Sequence, residues 1–342
     1  MTSASNDYHS VALKREYPLK PLEYVPCPLC SARDDFVLAT KGFPNDIPVR
    51  NVICKGCGLV RIDPRMTREH YELFYKEDFF DYLNPMDRPG YVAEIEHTTD
   101  DAYETPTKKN LLPYLLPWVT QGGRVLDIGA GFGQILYLLK KEKNIEGVGL
   151  EPDPYSRAVA KEKMGIELLD ATVETFCESD HGLFDLIVMD QTFEHLLTPL
   201  QTLQALARML TPEGIIFISV PGTYNPAISM SLFYQIAHTY NYTPHTLRLF
   251  AQQSGLKVIS VRDNGGYPLE VILARGDAQY PEEAAERMAP GSDWRDVVRR
   301  LKRKSRLNAW RGGAKRFLRN VVGERMTERL RRLLDGITGY RY

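Results

Sequence analysis

Val125-Leu126-Asp127-Ile128-Gly129-Ala130-Gly131-Phe132-Gly133 decides the fold. Arg124 to Ile128 is a short apolar run that stops at glycines, the pattern of a strand buried inside a sheet. Gln134 to Lys143 follows, with Ile135, Leu138 and Leu139 at helical spacing. Glycines at such a turn take positive φ and let a ligand come close to the backbone. The order is GxGxG with an acid, Asp127, two residues upstream, not the GxGxxG of dinucleotide binders. A dinucleotide loop presents bare amides to a pyrophosphate. A carboxylate beside them repels that anion and suits a ligand with a positive amino group.

Downstream, short apolar runs alternate with helical patterns. Gly147 to Leu150 is a second strand ending at Glu151, and Pro154 to Met164 a helix closed by Gly165 as C-cap. Phe184 to Met189 is a strand, and Leu200 to Leu210 a helix with Leu203, Leu206 and Leu210 on one face. Ile215 to Val220 is a strand ended by Pro221-Gly222. Thr246 to Ser254 is a helix, and Lys257 to Val261 and Glu270 to Ala274 are late strands. This alternation predicts a mainly parallel sheet covered on both faces, with ligands at the carboxyl ends of its strands. Glu151 is placed to accept two ribose hydroxyls, a chemistry shared with nicotinamide binders. Leu169-Asp170-Ala171 is placed to border an adenine ring.

The ordered set of strand ends from about Val125 to Pro221 resembles the class I S-adenosylmethionine-dependent methyltransferases. The resemblance implies a Rossmann-like α/β sheet of seven strands, the last antiparallel. It also implies roles by position. Asp127, Gly129, Ala130, Gly131 and Gly133 would line the methionine and ribose portion, and Glu151-Pro152 would hold the ribose. Asp170 and Ala171 would border the adenine, and Asp190 and Gln191 would lie beneath the sulfonium.

Cys27-Pro28-Leu29-Cys30 and Cys54-Lys55-Gly56-Cys57 are two CxxC knuckles. Each turn points two thiolates at one place, and two turns complete a closed tetrahedral zinc site of structural type. A redox CxxC would sit in a thioredoxin-like context, which is absent. Cys177 is left over and reads as inert. A four-cysteine ribbon ahead of such a core is similar to methyltransferases of sugar and polysaccharide pathways. The deoxysugar C-methyltransferases among them carry a Tyr-His-Glu-His run, of which only His238 is matched here. The resemblance therefore implies methylation of a hydroxyl on a sugar, nucleotide-sugar, glycan or related small metabolite, with C-methylation as the alternative.

A hydroxyl nucleophile benefits from a base near neutral pH. His195, just after the fourth strand, and His238, in a segment expected to form an aromatic lid with Tyr224, Tyr240 and Tyr242, are the candidates; His245 is a weaker one. Glu194 would orient His195 or bind a substrate hydroxyl. Structural histidines and ordinary aromatic packing are the plain alternatives. Asp190-Gln191-Thr192-Phe193 lacks the two prolines typical of exocyclic-amine nucleic-acid methyltransferases.

The chain has 342 residues, 43% hydrophobic and 25% charged, an ordinary globular composition. No run of about 18 apolar residues exists, so no transmembrane helix is expected. Met1 to His9 is polar and lacks a signal core, which points to a cytoplasmic protein. The expected divisions are a disordered lead at 1–19, a zinc-binding region at 20–85, the methyltransferase domain at 86–275 and a basic helical region at 276–342. From Gly291 to Tyr342 there are 16 Lys and Arg against 5 Asp and Glu, although the whole chain has net charge −1. Trp294, Val298 and Leu301 form one apolar stripe there, and Trp310, Ala314, Phe317, Leu318 and Val321 another. Basic amphipathic helices suit an anionic ligand, RNA or the inner membrane surface; docking on the core or in a homodimer is the plain alternative. An RNA methyltransferase and a binding module without turnover stay open beside the sugar reading.

Overall fold

The computed structural model describes residues 15–41, 47–79, 82, 95–101, 103, 105–224, 233–263, 268–282 and 293–303. Most of the expected lead and the second basic stripe, Trp310 to Val321, lie outside them. Five short strands come first: β1 (Leu22–Glu23), β2 (Asp35–Ala39), β3 (Asn51–Cys54), β4 (Val60–Ile62) and β5 (Arg65–Met66). Helix α1 (Arg68–Glu77) follows and buries Tyr71 and Phe74.

The large sheet is built from β6 (Arg124–Ile128), β7 (Glu146–Leu150), β8 (Phe184–Asp190), β9 (Leu210–Val220), β11 (Leu256–Asp263) and β12 (Leu269–Arg275). Its order is β11-β12-β9-β8-β6-β7. β7, β6, β8 and β9 pair in parallel, while β12 runs antiparallel between β9 and β11. Helices α2 (Gln134–Lys143), α3 (Pro154–Met164), α4 (Pro199–Arg208) and α5 (Pro244–Gln253) connect them. The expected α3 ends on Gly165 at φ +65, and Asp153 caps its start by accepting from the Ser156 amide at 2.7 Å. The start of α5 is earlier than apolar spacing suggests, because Pro244 takes the first turn and Thr243 and Thr246 form a reciprocal capping box.

Among the described residues six strands, not seven, form this sheet. Beyond β7 the described residues pair only through a single parallel bridge, Leu150 to Leu169. The apolar run there is short and gives way at Asp170, whose carboxylate turns to Arg157 at 2.9 Å.

The inward residues of β6 and β8 divide between the two faces, as a pleat requires. Val125, Leu186 and Val188 join one core cluster, with Phe217 and Ile272. Leu126, Ile128, Ile187 and Met189 join the other, which also contains Cys27, Leu29, Cys54 and Leu59. The cysteine region therefore shares a core with one face of the large sheet. A second junction is β10 (Tyr240–Asn241), which pairs antiparallel with β4 and completes a four-stranded sheet of order β10-β4-β3-β2. The chain divides into two compact units, Met1–Trp294 and Arg295–Tyr342. Among the described residues of the second, the chain is helical to residue 303, and no described helix is long and apolar enough to cross a membrane.

Candidate active site

The glycine turn has the predicted conformation. Gly129, Gly131 and Gly133 sit at φ +70, +52 and +75. The amides of Gly129 and Ala130 both donate to the Leu150 carbonyl at 2.9 Å, which ties the loop to the end of β7. A Cβ on Gly129 would lie 2.4 Å from Thr192 Oγ1, whereas one on Gly131 would meet nothing within 4 Å. Gly131 thus faces open space beside the carboxyl ends of β6 and β7. Gly129→Ala is expected to cost about 1–3 kcal/mol through strain and the clash with Thr192. Gly131→Ala should cost about 1–2 kcal/mol, from its left-handed backbone alone. Denaturant midpoints of the two variants test this; equal losses would contradict the close packing at Gly129.

Two acids flank the open space. Asp127 is fully buried, and its Oδ2 has no hydrogen-bond partner among the described residues. Burial, with Asp190 and Glu151 nearby, pushes its carboxyl up to about 8. Glu151 accepts from the Gly131 amide at 2.9 Å and the Asp153 amide at 2.8 Å. Burial still raises it to about 7, against the pull of those amides. A carboxylate has about four lone-pair sites, so two bound amides leave it able to accept hydroxyls. A buried acid with one oxygen unpaired among the described residues, beside open backbone, fits a cationic group, and this donor set fits the amino group and ribose of S-adenosylmethionine.

The adenine border is more open. Arg157 spans it, donating to the Glu151 and Pro152 carbonyls, both at 2.7 Å, and to Asp170. Leu169 is exposed beside Asp170 and Ala171, and offers an apolar surface to a ring. At the end of β8, the Gln191 side chain turns to Ser219 Oγ at 2.9 Å, with its own backbone at φ +52. The Asp190 carbonyl accepts from Thr192 Oγ1 at 3.1 Å.

Glu194, His195 and His238 come together, which sequence spacing alone could not show. His195 and Glu194 lie on the short turn Phe193–His195 after β8. His238 arrives from the segment before β10. The two imidazole rings are 5.0 Å apart. Burial holds the Glu194 carboxyl well above its ordinary range, with Asp190 adding to the rise. Burial lowers His195 to about 4, against the Ala237 carbonyl, and burial with His195 nearby holds His238 well below its ordinary value. Asp190 acts on both Asp127 and Glu194, so the two groups border one region. His245 does not join the cluster; it lies in the first turn of α5.

The expected aromatic lid is not what the described residues form. Residues 233–243 are buried throughout. Tyr242 stacks on Phe193 at 4.8 Å and donates to its carbonyl at 3.2 Å, while Tyr240 donates to the Leu197 carbonyl. These rings are core packing. Tyr75 of α1 is the group that sequence reasoning missed. Its hydroxyl lies 3.1 Å from His195 Nδ1 and donates to the Ala237 carbonyl at 3.2 Å. Tyr71, Phe74 and Tyr75 on one helix were the available signal, but nothing in their spacing names a partner 120 residues away.

The four cysteines converge as their spacing implied, all as free thiols. Sγ atoms of Cys27 and Cys57, and of Cys30 and Cys54, are 3.4 Å apart. Zinc bonds of about 2.3 Å in a tetrahedron place sulfurs about 3.8 Å apart, so this donor set fits the ion. The knuckle turns close through Ser31 and Gly58 amides donating to the Cys27 and Cys54 carbonyls at 2.8 and 2.9 Å.

Residues 101–261 match the family model of a methyltransferase domain. That segment holds the glycine turn and β6 to β9 of the large sheet. Among curated relatives, the chain is similar to ubiquinone biosynthesis O-methyltransferases. The protein from Pectobacterium atrosepticum is 30% identical over 102 residues, 29% of this chain and 42% of that one. The one from Vibrio cholerae is 32% identical over 117 residues, 33% of this chain and 46% of that one. The match thus spans less than half the length of either relative. Among solved structures, an S-adenosylmethionine-dependent methyltransferase from Archaeoglobus fulgidus is 15% identical over 57% of this chain and 98% of its own, with a TM-score of 0.43.

Proposed function

We propose that the chain transfers a methyl group from S-adenosylmethionine to a hydroxyl of a small acceptor, in the first place a sugar, nucleotide-sugar or glycan. The observation that carries the reading is the buried Asp127 oxygen without a partner among the described residues, beside the open backbone at Gly131. Asp127 would take the amino group and Glu151 the ribose hydroxyls, with Pro152, Asp170 and Ala171 at the adenine. Asp190 and Gln191 would stand at the reacting end. The cofactor supplies an electrophilic methyl on a sulfonium, a good leaving group. The chain's contribution is to hold the acceptor oxygen in line, exclude water and ease loss of its proton. Glu194, His195 and His238 support that last role by meeting beside the turn that follows β8.

The oxygen acceptor is supported by the O-methyltransferase names of the relatives. The sugar class rests on the cysteine ribbon, which we assign to structural zinc on the fit of its four thiols. Methyl transfer from labelled cofactor to a panel of nucleotide sugars, simple glycans and phenols tests the reading. Label on a hydroxyl is the expected result. Transfer to RNA alone, or to nothing while the cofactor binds, would overturn it. We place the protein in the cytoplasm, with the basic C-terminal residues available for an anionic target.

The acids also give the cofactor site a pH dependence. A cationic amino group prefers ionised Asp127, whose free-protein value is about 8. Affinity should therefore rise as pH rises toward 8, by up to about tenfold per unit. Without ligand the sign reverses: a carboxyl raised by folding favours the folded state below its ordinary value and loses that contribution as pH rises through about 8. Calorimetry near pH 6 and near pH 8 checks this; a flat profile would contradict it.

A further inference from the structure

We propose that Glu194, His195 and His238 form a divalent-cation site, separate from the cysteine site, that binds the acceptor hydroxyl. The inference rests on the proposed function for what the ion does, but not for whether it binds. His195 Nε2 and His238 Nε2 lie 3.9 and 4.0 Å from Glu194 Oε1. All three donor atoms fall within 4.8 Å of one another. Metal–ligand bonds of about 2.1 Å place neighbouring donors roughly 3.0–3.4 Å apart, so small side-chain rotations close the set on one ion.

The hydrogen-bond pattern around the cluster favours a cation over a satisfied polar core. His195 Nδ1 lies 2.9 Å from the Ala237 carbonyl. A carbonyl only accepts, so Nδ1 carries the hydrogen and Nε2 presents its lone pair toward Glu194. That arrangement, a ring nitrogen fixed by a backbone carbonyl with the other nitrogen free, is how metal-binding imidazoles are oriented. Tyr75 braces the same nitrogen and carbonyl. Both oxygens of Glu194 are buried without a hydrogen-bond partner among the described residues, as is His238 Nδ1. The two Glu194 oxygens thus lie unpaired among the described residues beside the Nε2 atoms of both imidazoles, and a cation satisfies them together.

Two nitrogens and one carboxylate suit zinc, iron(II), cobalt(II) or manganese(II). Three protein ligands leave a position open, as in catalytic rather than structural sites. A hydroxyl bound there becomes a stronger acid. Its proton passes to water, the oxygen lone pair forms the new O–C bond, and the C–S pair leaves with the sulfur. Under this inference the histidines act as ligands: the ion acidifies the hydroxyl, and water takes the proton that a histidine base would otherwise take. Tyr75 is a positioning residue.

The test is a cobalt(II) titration of the full chain purified with zinc in place. The expected result is one additional equivalent with weak ligand-field bands and no thiolate charge-transfer band. It should be lost in His238→Ala and Glu194→Gln, and weakened about tenfold in Tyr75→Phe. Thiolate bands alone, or no uptake by the wild-type chain, would overturn the inference whatever the variants do. Cofactor binding, measured separately by calorimetry, keeps the two readings apart. Its failure would sink the proposed function and leave the metal result standing.

Discussion

Asp127→Asn is expected to weaken S-adenosylmethionine binding by about 10- to 100-fold, the loss of one hydrogen bond to a charged group worth about 1.5–3 kcal/mol. The side chain keeps its shape, so the core around β6 should hold. Asp127 has no partner for Oδ2 among the described residues, and its ionised form is costly in the free protein. Stability of the ligand-free variant should therefore fall by no more than about 1 kcal/mol, and its affinity should lose most of its pH dependence. Glu151→Gln is a useful contrast. Glu151 holds the Gly131 and Asp153 amides, so that change should disturb the loop itself as well as the ribose contact. A full-strength complex with Asp127→Asn would remove the reason for assigning the loop to a cationic ligand.

Cys54→Ser, or removal of zinc by a strong chelator, is expected to lower the melting temperature by about 10 °C or more. Structural zinc contributes folding free energy directly, and several kcal/mol lost from a domain of this size shifts the midpoint by that order. The effect should not stay local. Cys27, Leu29, Cys54 and Leu59 belong to the same core cluster as Leu126 and Ile187. β10, from the methyltransferase segment, is paired to β4, and Gln253 of α5 donates to the Leu29 carbonyl at 2.9 Å. Loss of the metal should thus weaken cofactor binding together with stability. A melting curve unchanged by chelation would contradict structural zinc.

The loop and the main strand positions were legible in the sequence because their signals are local. Positive φ at Gly129 and Gly131, the strand ends at Ile128, Leu150 and Asp190, and the cap at Gly165 each follow from a few adjacent residues. The two cysteine knuckles were legible for the same reason. What was hidden depends on distant packing. A short apolar run ending at Asp170 can be a strand or one bridge, and only its neighbours decide. Tyr240 and Tyr242 read as a lid from their aromatic character, yet the pairing of β10 with β4 carries them into the core. His195 and His238 were singled out separately. Their meeting at Glu194, braced by Tyr75, depends on α1 crossing to the β8 turn, and no spacing in the chain encodes that contact.

The most direct test of the central claim is calorimetric titration of the full chain with S-adenosylmethionine, in buffers of different ionisation enthalpy, near neutral pH. The prediction is one site per chain, with proton release as buried Asp127 ionises against the ligand's cation, and both signals diminished in Asp127→Asn. No binding by the wild-type chain, or binding indifferent to Asp127, would contradict it.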